Sequence, residues 1–336
     1  MKTKKTGKNI MCLGIESTAH TFGVAVVDGN GKVLSNVKKS FTTKSGGMIP
    51  HKVAMHHVEN CDSIISEALK QSNKKLKDIT LISYSASPGI GHCLKIGAMA
   101  ARSLALRQKI PILGVNHCIA HLEIGRLLTP AKDPILLYAS GANTQIIAYE
   151  GQKYRIFGET LDTGIGNFLD TFARELGVGF PGGPIIEGLA AKGKNFIELP
   201  YTLKGMDVSF GGLLTNLKEK IKSGLYSNED LAYSAQETVF AMLVEVSERA
   251  LAHTEKKELL LGGGVACNKR LQEMAEIMCR ERGAKCYVLQ NQFNVDNAAM
   301  IAWLGILEYT HGIRLDIEHA GIDPYLRTDQ VKVVWR

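Results

Sequence analysis

Two stretches of this chain open in the same way, and that repetition constrains the fold more than any single motif does. From Met11 the segments MCLGIES, FGVAVVD and KVLSNVK read as three short strands, the last two joined through the turn signal Asp28-Gly29-Asn30-Gly31. After the linker-like Thr129-Pro130-Ala131-Lys132-Asp133-Pro134 the order begins again with ILLYAS, TQIIAYE and YRIFGE, separated by turns at Gly141-Ala142-Asn143 and Gly151-Gln152. Behind each meander the pattern changes to helical periodicity alternating with short apolar strands. The first half predicts a helix from Val53 to Lys70, a strand from Ile79 to Ser85, a helix from about Lys95 to Arg107, the strand PILGV and a helix carrying Asn116 to Leu128. The second predicts a long helix from about Leu231 to His253, the strand ELLLGGG, a helix from Asn268 to Arg282, the strand KCYVLQ and a last helix from Asp296 to about Tyr309. An α/β protein follows, with duplicated mixed-sheet lobes and a cleft between them. The expected division is a basic flexible tail at 1–10, a first lobe at 11–130, a second at 131–297, and a helix and tail at 298–336 that return to the first lobe.

Composition supports this size of fold and excludes several others. With 336 residues, 45% of them hydrophobic, the chain can fill two cores and is neither disordered nor a small stapled scaffold. Seven cysteines, an odd number without a C-x-x-C pair, point to a reduced, cytoplasmic protein. The lysines before Met11 imitate the start of a signal peptide, but the apolar run that follows is broken at Glu16, and no segment reaches the roughly 18 apolar residues of a membrane span. A net charge of +7 suits a polyanionic partner without specifying one.

Several residues could carry chemistry. His117 and His121 stand four apart on an expected helix, which puts both imidazoles on one face with Cβ atoms about 5–6 Å apart. Such a pair can chelate one metal ion, and spacing alone leaves two satisfied half-buried histidines equally open. Cys118 points away, and the residues between the histidines lack the glutamate of an H-E-x-x-H peptidase. Ser140-Gly141-Ala142-Asn143-Thr144 and Gly262-Gly263-Gly264 are glycine-rich turns of a kind that lets backbone N–H groups approach an anion, though neither matches a P-loop. Asp162, Asp170, Glu187 and Asp296 are carboxylates near glycine clusters; each alone reads as a cap or a solvated charge, Asp296 as the N-cap of the last helix.

Taken together, GIESTAHTFGVAVVD, MHHVEN, SPGIGHCLKIGAMAARSLAL, GVNHCIAHLEIG, LLYASGANTQI, GETLDTGIGNFLDTFARELG, FPGGPIIEGLA, MDVSFGGLLTNLK, LLLGGGVACNKRL and NVDNAAMIAW resemble the universal tRNA threonylcarbamoyladenosine transferase family, in order, from about Met11 to Tyr325. The opening GIESTAH is similar to the archaeal and eukaryotic branch, which works inside the KEOPS assembly. The resemblance implies the actin/Hsp70/sugar-kinase fold and one divalent metal, iron or zinc, held by His117, His121, Tyr138 and Asp296. It implies ATP or an adenylate bound by Tyr138, Ala139, Ser140, Gly141, Ala142, Asp170, Gly183, Glu187 and Asn268. The implied reaction passes the threonylcarbamoyl group of threonylcarbamoyl-adenylate to an anticodon-loop adenosine of tRNA and releases AMP, with no catalytic side chain beyond the metal set. The implied partners are tRNA and KEOPS-type subunits, among them a small protein kinase or ATPase and a dimerisation subunit. A non-catalytic actin-like ATPase or binding subunit is the alternative, because fold does not fix function. Several positions depart from the family pattern: Ala142 stands where a second glycine is usual, Gly211 where a serine is, Lys52 near the place of an arginine in TTKSGGMIPHKVAMHH, and His92 where a proline is usual.

Overall fold

The computed structural model describes residues 9–43 and 48–336, so most of the expected basic tail lies outside the described residues. The first half runs β1 (Met11–Glu16), β2 (Thr21–Asp28), β3 (Val33–Ser40), α1 (Pro50–Gln71), β4 (Leu81–Ser87), α2 (Gly91–Gln108), β5 (Ile112–Asn116) and α3 (His117–Leu128). Its sheet has the order β3-β2-β1-β4-β5, antiparallel through the meander and parallel from β1 onward.

The second half begins with β6 (Ile135–Ala139), β7 (Thr144–Glu150) and β8 (Lys153–Glu159). The glycine-interrupted residues that follow, without long periodicity, fold into α4 (Ile165–Glu175), α5 (Gly182–Ala190), a ribbon of β9 (Leu203–Lys204) and β10 (Asp207–Val208), and α6 (Gly211–Ser223). Then come α7 (Asn228–Thr254), β11 (Glu258–Gly262), α8 (Lys269–Glu281), β12 (Lys285–Val288), the single turn α9 (Asn291–Asn294) and α10 (Ala298–Thr310). This sheet is ordered β12-β11-β6-β7-β8 with the same pattern of directions, so the two sheets are topological copies.

Strand alternation sorts the apolar residues into three cores. Leu13, Ile15, Val24 and Val26 face α1 and α2, whereas Ile135, Leu137, Leu259 and Leu261 face the helices α4 to α8. The opposite faces, with Cys12, Ala25 and Val27 from one sheet and Leu136, Tyr138 and Leu260 from the other, enclose α3 and α10. Both helices are buried on nearly every side, as a helix packed between two sheets must be. The contact is close: a Cβ on Gly14 of β1 would lie 2.4 Å from the carbonyl oxygen of Ala298. α3 therefore carries the paired histidines into the middle layer, between the ends of two sheets.

Among the paired histidines near the start of α1, His57 is fully buried and bonded through Nε2 to the Ala19 carbonyl at 2.9 Å, a structural role. All seven cysteines are free thiols. Among the described residues no helix is long and apolar enough to cross a membrane.

Candidate metal and nucleotide site

α3 starts where β5 ends, and Asn116 makes the transition by accepting the Cys118 and Ile119 amides at 3.1 and 3.2 Å. That cap fixes His117 as the first helical residue, with His121 one turn later on the same face, both buried. Tyr138 comes from β6, its hydroxyl 2.9 Å from His117 Nε2. Asp296 comes from the link between α9 and α10; its Oδ1 lies 3.3 Å from His117 Nε2 and 3.5 Å from His121 Nε2. Asp296 is not the cap of α10. Asn297 caps it, accepting the Met300 amide at 3.1 Å, which releases the Asp296 carboxylate to face the histidines.

One potential ligand atom from each of His117, His121 and Asp296 can be chosen so that all lie within 4.8 Å of one another. Both ring nitrogens of His121 are buried without a hydrogen-bond partner, a costly arrangement that a bound cation would relieve at Nε2, the nitrogen facing Asp296. Two imidazoles, a carboxylate and a phenol also form a donor set suited to iron or zinc, so the residues present fit a divalent metal. Burial alone would lower the His117 pKa and raise that of Asp296. Their mutual bonds, with Glu16 and Tyr138 acting on His117 and with His121 and His20 acting on Asp296, instead hold the imidazole well above and the carboxyl well below their ordinary values. Burial lowers His121 and pushes the Tyr138 phenol up.

The two glycine-rich turns meet beside this cluster. In the first, Ser140 closes the turn through its amide and hydroxyl on the Asn143 carbonyl at 2.9 and 3.0 Å. The carbonyls of Ser140 and Gly141 accept the Gly166 and Asn167 amides at 3.0 and 2.9 Å, so the turn caps α4. Gly141 and Ala142 stay exposed, and Ala142 has no positive φ, so its methyl group is accommodated without backbone strain. In the second turn Gly263 has φ +94°, and a Cβ there would fall 2.4 Å from the Ala139 carbonyl oxygen. Only glycine lets the two turns touch.

The other expected nucleotide contacts lie along α4, α5 and α8. Asp170 accepts the Gly182 amide at 2.6 Å, and burial raises its pKa. Gly183 follows in the first turn of α5, where nothing but Leu169 Cδ1, at 4.0 Å, approaches its Cβ position. Glu187 accepts the Lys269 amide at 2.9 Å through one oxygen. Asn268 caps α8 through the Arg270 and Leu271 amides and donates to Gln236 at 2.9 Å. Asp162 lies apart from this group: it accepts Ser209 Oγ and the Phe210 and Gly211 amides at 2.6, 3.0 and 2.7 Å, and so holds the start of α6. Two residues to which the motif reading gave no role also reach the metal-type cluster. Glu16 contacts His117, and Lys38 on β3 donates to the backbone carbonyls of Gln292 and Asp296 at 3.3 and 3.1 Å. Both are distant in sequence from His117 and Asp296, so no local spacing signals their place at the cluster.

Paired meander-led sheets with a polar site at their shared end define an α/β protein of the actin/Hsp70/sugar-kinase class. Among solved structures, HypF of Thermococcus kodakarensis superposes with a TM-score of 0.63 over 93% of this chain and 49% of its own, at 17% identity, which shows the fold alone. The family model for tRNA N6-adenosine threonylcarbamoyltransferase matches residues 32–303. The protein of that name from Thermococcus kodakarensis is 52% identical over 97% of this chain and 100% of its own length. A probable bifunctional tRNA threonylcarbamoyladenosine biosynthesis protein from Methanothermobacter thermautotrophicus is also 52% identical over 97% of this chain, which spans 61% of that longer relative. The chain belongs to the tRNA N6-adenosine threonylcarbamoyltransferase family.

Proposed function

We propose that this chain transfers a threonylcarbamoyl group from threonylcarbamoyl-adenylate to N6 of an anticodon-loop adenosine, with His117, His121, Asp296 and Tyr138 holding an iron or zinc ion. The observation that carries this reading is the convergence of His117, His121 and Asp296 within 4.8 Å, next to two turns that hold no side chain bulkier than alanine or serine at their tips. The adenosine amine forms a bond to the carbamoyl carbon, the bond from that carbon to the phosphate oxygen breaks, and AMP leaves while the amine loses a proton. When bound, the metal would supply Lewis-acid stabilisation of the negative charge that develops on the oxygens.

The chain's own residues do the positioning. Gly141 and Ala142 present an exposed backbone to the phosphate, as an anion-binding turn does. Asp170 and Glu187 each commit one oxygen to a helix start and offer the other to ribose hydroxyls, while Gly183 leaves room for the base. Asn268 acts by fixing the start of α8 at the edge of the site. Orientation of a preactivated acyl group needs no nucleophilic side chain. The partners in this reading are tRNA and KEOPS-type subunits that include a small kinase and a dimerisation subunit.

The test is single-turnover transfer from threonylcarbamoyl-adenylate to unmodified tRNA by the metal-loaded chain together with those subunits. Formation of threonylcarbamoyladenosine with equimolar AMP is expected. AMP binding without transfer, in the complete mixture, would leave only a nucleotide-binding subunit.

A further inference from the structure

One buried carboxylate at the metal-type cluster is neither in the ligand set nor on the nucleotide side. Glu16, the last residue of β1, is fully buried. Its Oε2 lies 2.9 Å from His117 Nδ1. Its Oε1 accepts the Thr18 amide at 2.7 Å and also the Thr18 hydroxyl. That hydroxyl stands 3.3 Å from His117 Nδ1.

We propose that Glu16 is a positioning residue that decides which nitrogen of His117 is offered to the metal, and that Thr18 holds Glu16 in that task; this rests on the metal reading above. Imidazole has two nitrogens, and a neutral ring can coordinate only through the one that lacks a proton. A carboxylate accepts hydrogen bonds and donates none, so the nitrogen facing it carries the proton. Nδ1 faces Glu16, a carboxylate outside the ligand set that can only accept its proton, whereas the carboxylate facing Nε2 is Asp296, which belongs to the ligand set and would turn its charge to the metal, so Nε2 is the nitrogen left for coordination beside Tyr138. The Thr18 donors occupy the second oxygen of Glu16, so the carboxylate cannot rotate without losing two bonds at a fully buried position. A carboxylate behind a ligating histidine also raises the basicity of the coordinating nitrogen.

Glu16→Gln separates this role from mere filling of space, because the amide has nearly the same shape but only one accepting oxygen. If that oxygen stays on the two Thr18 donors, the NH2 group faces Nδ1, drives the His117 proton onto Nε2 and blocks coordination. If the oxygen turns to His117, the NH2 group meets the Thr18 amide and a buried donor loses its acceptor. In both cases the negative charge behind His117 is gone and the coordinating nitrogen is less basic, so metal affinity falls.

The measurement is Co(II) affinity, with the visible ligand-field spectrum, for the wild type, Glu16→Gln and the double variant His117→Ala, His121→Ala, with thermal unfolding of each metal-free protein alongside. Glu16→Gln is expected to bind Co(II) roughly 10- to 100-fold more weakly, and the double variant to lose binding. Wild-type affinity and spectrum in Glu16→Gln, with binding lost in the double variant, overturns the positioning role and leaves the metal site standing. Wild-type affinity in the double variant overturns the metal reading, and this proposal with it. A second measurement needs no variant at position 16: nitrogen-15 NMR of the zinc-loaded wild-type protein, with His117 assigned through its single alanine variant. A His117 proton on Nδ1 is expected, and a proton on Nε2 overturns the proposal.

Discussion

Asp296 stands one residue before the cap of α10, and that offset separates a helix-capping carboxylate from one that faces two histidines. The same economy governs Glu187, which spends one oxygen on the Lys269 amide. Glu187→Ala should weaken AMP binding by about 1–3 kcal/mol through loss of charge-assisted bonds to ribose, with metal content unchanged. Calorimetric titration returning the wild-type affinity would reduce Glu187 to a support for α8. His57 makes a prediction about stability rather than binding. Burial pushes its pKa down to about 4 from an ordinary 6.5, with His56 and His20 acting in the same direction and the Ala19 carbonyl against it. The folded state thus binds a proton less readily than the unfolded chain. The associated stability is complete above pH 6.5 and is lost as the pH falls toward 4, by about 2–3 kcal/mol. Urea unfolding midpoints should drop across that window in the wild type, and the slope should flatten in His57→Gln; equal slopes would refute the assignment.

Among the elements, the starts of the short helices α4, α5 and α6 are held from outside. The turn after β6 caps α4, Asp170 caps α5 and Asp162 caps α6, so the rim of the proposed nucleotide side is a chain of helix starts tied to one another. Burial alone would raise the Asp162 pKa, but Ser209 and the Phe210, Gly211 and Thr163 amides bring it below its ordinary value. Asp162→Ala should cost about 1 kcal/mol at pH 7 in urea unfolding. A carboxyl with a depressed folded pKa stabilises the fold above its unfolded pKa, and that contribution is lost as pH falls through the folded value. The gap between wild type and variant should therefore close below about pH 4. A gap that persists at pH 2 would mean that the loss comes from packing. Sequence spacing placed α3 and its histidines within a residue, because Asn116 is a strong cap next to a clear periodicity. It did not resolve α4 to α6, whose caps lie 12 to 49 residues away along the chain.

On the scale of the whole molecule, α3 and α10 form a layer shared by two copies of one sheet, and the metal-type cluster sits where that layer meets the turns of the second sheet. A net charge of +7 spread over 336 residues provides few phosphate contacts in any one place. Each contact that tRNA makes adds affinity and salt dependence, so the chain alone should modify tRNA slowly at physiological salt. Adding the kinase and accessory subunits should raise single-turnover transfer by at least about tenfold, and equal rates with and without them would refute partner dependence. By itself the sequence determined the duplicated α/β meanders, the helical histidine pair and the family, because these rest on periodicity, turn residues and motif order within short stretches. The family resemblance grouped His117, His121, Tyr138 and Asp296; only the tertiary structure decided that Glu16 joins them, that Asn297 frees Asp296, and that Asp162 holds the start of α6. Periodicity reports which face of an element is buried. It carries no information about which other element covers that face, and the contacts at this site join segments up to 258 residues apart.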